Sequence, residues 1–406
     1  MNKFIKLFMM LMLLSGLQAQ KKVATLPPLI DREIFFGDPE ISGGRLSPDG
    51  KYMSFIKPYN GTRNIWVKKT DAAFETAWPV TADEKRPISS YFWSRNGKFI
   101  LYVQDKGGNE NFHVYAVNPL EKPVDGNPVP QSRNLTDKEN TRAYIYSVPK
   151  TLPDVIYVGL NDRDASWHDL YELKLSTGDL KLLRKNTDRI TGWVFDRRDK
   201  LRLAERTNDD GSTDILRVDP KGFVPIYSCG PLEMAYCVNF HEDGQRVYLV
   251  TNKGEKTDLS KLVLLNIQTK AEELVESDPK KRVDFGSISF SDLDNRIIAT
   301  YYEDEKTRIY WRDKSFESDY KALRKSFNGL EVSFNSSTKD EKQWLIAVYS
   351  DIDNGAVYSF DRNTKKTKFQ YRPRPKLTNT ELAPMKAIRY KSSDGLEIPA
   401  FLTLPK

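Results

Sequence analysis

Ser47-Pro48-Asp49-Gly50-Lys51-Tyr52 is the stretch that decides the fold. A hydroxyl, a proline, an acid and a glycine in succession specify a tight turn. The polar side chains bond the local backbone, proline presets one φ, and glycine accepts the left-handed one. Tyr52 then opens a short apolar run ending at Ile56. Degenerate copies follow at Ser94-Arg95-Asn96-Gly97-Lys98-Phe99, His241-Glu242-Asp243-Gly244-Gln245-Arg246 and Ser291-Asp292-Leu293-Asp294-Asn295-Arg296. They recur about every 45 to 55 residues or a multiple of that, the period of a four-stranded repeat. Such a period predicts a β-propeller.

Seven strand-rich units share one grammar. A continuous apolar run, such as Phe99-Ile100-Leu101-Tyr102-Val103 or Trp344-Leu345-Ile346-Ala347-Val348, suits a strand covered on both faces. A polar turn leads to a more alternating strand, as in His113-Val114-Tyr115-Ala116-Val117. A last strand such as Leu180-Lys181-Leu182-Leu183 closes the unit. One sheet cannot cover both its faces alone, so neighbours must stack in a ring. The sixth unit departs from the rule, because Phe316 to Phe327 reads as helical where the final strand belongs. The predicted fold is all-β: a seven-bladed β-propeller of four-stranded antiparallel blades over 46–372. A signal peptide (1–19) and a lead segment (20–45) precede it, and a linker with a β-hairpin (373–406) follows.

Composition narrows the classes. Aromatic residues make up 12% of 406, too many for a disordered chain. The formal charge of +7 is dispersed. Its densest basic run, Lys280-Lys281-Arg282, is short and reads as a solvated loop, not a nucleic-acid patch. Lys3 and Lys6 precede the apolar run Leu7 to Leu14, and Leu17-Gln18-Ala19 fits a cleavage site. The run is too short to span a bilayer, so the expectation is export to the periplasm or beyond with no membrane insertion after cleavage. Export permits a disulfide between Cys229 and Cys237, although two unbonded thiols fit their positions better.

Three segments resemble the prolyl-oligopeptidase family of serine peptidases. They are the lead segment from Leu26 to Lys51, the second unit from Trp93 to Asn111, and Ile388 to Pro405. The last is similar to the strand pair that opens the family's α/β-hydrolase domain, here turning at Ser393-Asp394-Gly395. The resemblance implies a propeller that caps an α/β-hydrolase, limits substrate size and contacts short peptides. It also implies a Ser-Asp-His triad in the hydrolase. No G-x-S-x-G nucleophile elbow occurs in these 406 residues; Gly286-Ser287-Ile288-Ser289-Phe290 lacks the second glycine. The expected partner is therefore a hydrolase domain beyond Lys406, and this chain alone is expected to be inactive.

No catalytic, cofactor or metal residue is assigned. His113, His168 and His241 have the chemistry of general bases, but no nucleophile accompanies them, and they read as structural. Cys229, Cys237 and His241 offer zinc-ligand types without a regular spacing or a fourth ligand. Asp162/Asp164 and Asn208-Asp209-Asp210-Gly211 lack the register of a calcium loop and read as turns. Glu110, after Gly107-Gly108, resembles the carboxylates that receive a substrate's amino terminus in the family's aminopeptidase branches, and otherwise reads as a loop residue. The alternative function is a stand-alone periplasmic propeller that binds a protein, peptide or glycan.

Overall fold

In the computed structural model, residues 29–405 are described, except 125, 255–256 and 378–381. The leader at 1–19 and Leu26-Pro27-Pro28 lie outside the described residues. Seven antiparallel sheets follow one another along the chain, at 42–79, 91–134, 143–184, 190–229, 235–276, 287–311 and 331–371. We number them blades 1 to 7. Strand order within each is sequential, so each blade is an up-and-down meander with its first strand innermost. Apolar clusters fill the spaces between blades, for example Leu101, Val114, Ile156 and Val158 between blades 2 and 3.

The repeated turn explains why the second strand of each blade starts where it does. Ser47 Oγ donates to Asp49 Oδ1 (2.7 Å) and accepts from Tyr52 N (3.0 Å), while Lys51 N donates to Asp49 Oδ1 (3.1 Å). Gly50 sits at φ +73°. Ser94 and Asn96 repeat these bonds, with Gly97 at φ +69°. Two further copies were not read from the sequence. Thr338 and Asp340 make the same bonds in blade 7, with Glu341 at φ +54°. Asp196 accepts from Arg198 N and Lys200 N in blade 4, with Asp199 at φ +58°. Where the glycine is missing the backbone still goes left-handed, and that disguised the repeat.

One boundary differs from the sequence reading, and the helical reading in the sixth unit is met. Blade 1 begins with the strand Ser42–Leu46, so the ring takes in part of the lead segment. Gly43, at φ +62°, and Gly44, packed against the Tyr371 hydroxyl, carry no apolar signal to mark that strand. Blade 6 has three strands, and the helix Lys314–Ser326 stands where its fourth would be. Asp313 caps the helix by accepting from Ser315 N (2.8 Å) and Phe316 N (3.1 Å). Phe316, Asp319 and Leu323 recur on one face and are buried, Asp319 against Arg362 (2.7 Å).

Blades 1 and 7 close the ring with side chains and loop backbone, sharing no sheet. Leu46, Met53, Leu345, Val357 and Tyr371 form one apolar cluster across the seam. Leu46 N donates to Ser336 Oγ (3.1 Å), Gly44 N to Tyr371 Oη (3.2 Å) and Lys339 N to Pro48 O (2.8 Å). The chain enters and leaves the ring at this seam, where Glu40 N donates to Pro373 O (2.8 Å) and Arg374 to Gly37 O.

Candidate functional site: the barred channel and its rim

The innermost strands line a central channel, and the strand order gives that channel two unlike ends. The repeated turns link first to second strands, so all lie on one face. The hairpin Met385–Lys391/Glu397–Thr403 lies on the opposite face, beside the links between second and third strands of blades 6 and 7. Arg389 donates to Glu305 (3.1 Å), and Met385 N to Asp351 Oδ2 (2.7 Å). Between hairpin and ring runs a cavity of about 1090 Å³ lined by Tyr301, Trp311, Tyr349, Met385 and Phe401 among others. Tyr390, Phe401 and Leu404 of the hairpin segment stay exposed.

On the turn face, the second position of the turns in alternate blades delivers charge to the channel mouth: Arg95 from blade 2, Arg197 from blade 4 and Asp292 from blade 6. Asp292 accepts from Arg95 Nη1 (2.7 Å) and pairs with Lys150 Nζ of blade 3 (2.8 Å). Lys150 Nζ also donates to Asn295 Oδ1 (2.8 Å), and Arg197 to Asp294 O. Blades 2 and 3 are thus tied to blade 6 across the opening. Cavities of about 380 Å³ and 510 Å³ lie on either side, and Arg95, Val148, Lys150 and Asp292 line both. Burial opposes ionisation of Asp292, but Lys150 and Arg95 outweigh it and hold the carboxyl below its usual range. The bar is therefore formed at neutral pH and weakens as acid protonates Asp292. The side chains are about one-third exposed, so the energies are modest. A double-mutant cycle on Arg95→Ala and Asp292→Ala, read by urea unfolding at pH 7, is expected to give a coupling of ~0.5–1 kcal/mol that declines once pH falls below the ordinary carboxylate range.

The residues weighed from sequence are scattered. His113 is buried and hydrogen-bonded through Nδ1 to Thr136 O (2.7 Å). His241 sits in a turn beside Asp243 (3.0 Å), on the face away from His113 and His168. Cys229 and Cys237 are unbonded, on the outermost strand of blade 4 and the innermost of blade 5. Burial pushes the Cys237 thiol well up, and Glu205, whose own carboxyl is raised by burial, accepts from Cys237 N (3.0 Å). Asp162 is held by Lys138 and Tyr171, Asp164 accepts from Ser166 N, and Asp209 pairs with Arg189. No group of three His, Cys, Asp or Glu side chains among the described residues is placed to hold a metal ion. Arg282 of the basic run is paired with Asp304 (3.2 Å) and Glu305 (2.8 Å). Glu110 is exposed on the hairpin face at φ +60°, its N–H donating to Asp105 (3.1 Å). The channel bar was missed from sequence. Its signal was the alternation of Arg95, Arg197 and Asp292 at one turn position.

Comparison with known proteins fits this geometry. The chain is 33% identical to dipeptidyl aminopeptidase BIII of Pseudoxanthomonas mexicana over 387 residues, 93% of this chain and 53% of that protein. It is 24% identical to dipeptidyl peptidase family member 6 of Caenorhabditis elegans over the same length, 52% of that protein. Prolyl oligopeptidase B of Galerina marginata superposes with a TM-score of 0.60 at 12% identity, over 90% of this chain and 55% of the other. This chain matches the propeller portion of the prolyl-oligopeptidase family. A puromycin-hydrolysing peptidase of Mycobacterium tuberculosis shares the fold at a TM-score of 0.56 and 10% identity, over 89% of this chain and 57% of the other. The chain spans about half the length of the curated relatives it matches. No family model matches the sequence.

Proposed function

We propose that this chain is the substrate-gating propeller of an exported serine peptidase that cleaves short peptides. The nucleophile, histidine and acid would reside in an α/β-hydrolase domain joined at the Met385–Thr403 hairpin, and this chain alone would lack the triad. The carrying observation is the channel itself, barred on the turn face by Arg95, Asp292 and Lys150 while the hairpin occupies the other. A bar at the far end leaves substrates to enter from the hydrolase side, where only short ones fit. Its contribution to catalysis is exclusion and orientation. The leader pattern Lys3 to Ala19 supports export to the periplasm or beyond.

The test uses a peptidase formed by this chain and its hydrolase domain. Asp292→Ala is expected to raise kcat/KM on long peptides about fivefold, the equivalent of ~1 kcal/mol, and to leave a dipeptide substrate unchanged. Equal effects on both lengths would remove the gating role. Labelling of the 406-residue chain by a fluorophosphonate would remove the assignment of the nucleophile to another domain.

A further inference from the structure

Arg142 is charged, half-buried and, among the described residues, without an ion-pair partner. It directly precedes the innermost strand of blade 3, on the hairpin face of the channel. Its guanidinium carbon lies over two rings, Phe112 at 5.2 Å and Tyr144 at 5.0 Å. Its Nε is shut away from solvent without a partner, and no acceptor reaches the guanidinium among the described residues. The arginines around it behave differently. Arg163 is neutralised by Asp169 (2.7 Å) and Arg189 by Asp209. The site is also held in place. Arg142 N donates to Asn161 Oδ1 (2.6 Å), and Ala143 N donates to Phe112 O (2.8 Å), which fixes the blade 2 loop against the strand.

His168 completes the cluster. Its ring meets that of Tyr144 at a tilt of 53° with centroids 4.5 Å apart, and its Nε2 is buried without a partner among the described residues. Burial, and then the Arg142 charge, keep the imidazole neutral. A second cation is thus suppressed while a polar ring remains beside the first. Tyr144, 42% exposed on the innermost strand, brings the cluster to the channel surface.

A partly desolvated guanidinium without a counter-ion is unfavourable, and the terminal N–H groups are what a ligand would meet. Aromatic walls and a planar two-pronged donor suit a carboxylate better than a hydrated, polyvalent anion. We propose that Arg142, with Phe112, Tyr144 and His168, forms a receptor for a carboxylate of the peptide substrate. This rests on the peptidase reading and deepens it, by naming the substrate class as peptides with a carboxylate that reaches the rim. That carboxylate is either the C-terminus or an acidic side chain.

Titration calorimetry on the 406-residue chain separates the sources. The probes are acetyl-Ala-Ala-Ala as free acid, acetyl-Ala-Ala-Ala amide and acetyl-Ala-Asp-Ala amide. At least one carboxylate-bearing probe is expected to bind about tenfold or more tighter than the neutral amide, and which one identifies the source. Arg142→Gln is expected to abolish that difference and Arg142→Lys to restore part of it, with melting temperatures as the control for folding. Equal affinity of all three probes for the unaltered chain, including no measurable binding, overturns the receptor. So does a preference that survives Arg142→Gln. Neither result bears on gating, which is read separately from the length dependence of turnover.

Discussion

Asp278→Ala is expected to cost about 3–5 kcal/mol of stability at pH 7, the penalty of removing a buried carboxylate that holds an arginine at two points and three backbone amides. Asp278 lies in the link from blade 5 to blade 6, and its side chain is fully out of solvent. Arg308 grips it at two points, Nη1 to Oδ1 (2.7 Å) and Nη2 to Oδ2 (2.8 Å). The backbone N–H groups of Lys280, Arg282 and Val283 supply three further bonds of 2.8–3.1 Å. Truncation therefore leaves Arg308 with only Asp304 (3.2 Å) and the Tyr310 hydroxyl (2.9 Å) and unties the link. Arg308, chiefly, and these amides hold the Asp278 carboxyl far below its usual range against the opposing effect of burial. Because the folded value is depressed, the contribution is fully present above the unfolded carboxylate's ordinary pKa near ~4 and fades as pH falls below it. Urea midpoints should thus differ widely between the two proteins at pH 7, begin to approach each other below pH ~4, and converge only as pH falls through the depressed folded value. A gap that is small at pH 7, or that does not close in acid, would refute the account.

Phe316→Ala is expected to cost a further ~3–5 kcal/mol, this time through packing. Phe316 is 1% exposed in the helix that replaces the missing strand of blade 6. It meets Phe334 and Trp344 edge-on, with centroids 5.9 and 5.5 Å away, and Arg362 sits 3.7 Å over its ring. Those partners belong to blade 7, so the substitution opens a cavity between the two blades. Phe316→Leu, which keeps most of the volume, should lose much less. Thermal melts of both variants decide the matter; equal losses would mean that the ring contacts with Phe334, Trp344 and Arg362, not the filled interblade volume, carry the effect.

The propeller was legible because its signals are local. The side chains of Ser47 and Asp49 make their hydrogen bonds within six residues, and the central strands are buried on both faces, so their apolar runs are unbroken. The helix at Lys314–Ser326 was legible for the same reason, its buried residues falling at helical spacing. What stayed hidden depends on contacts remote in sequence. Arg95 and Asp292 are 197 positions apart, and nothing in either neighbourhood announces the other. Arg142 was invisible for the opposite reason. Its significance lies in the acid it lacks, and an unpaired arginine reads like any other until its surroundings are known. The histidines read as structural from sequence, and the structure places His168 beside Tyr144 and Arg142 instead of as an isolated ring.

The closure between blades 1 and 7 has a mechanical consequence. Every other pair of adjacent blades is joined by continuous polypeptide, whereas this pair is held by Ser336, Tyr371, Pro48 and a cluster of apolar side chains. Glu40 and Pro373 bind each other at the same spot, so both tethers to anything attached leave from the only joint without a covalent hinge. A tug from an attached body would therefore act on the clasp directly, prising the annulus apart like a split washer while the other six joints carry little of the strain.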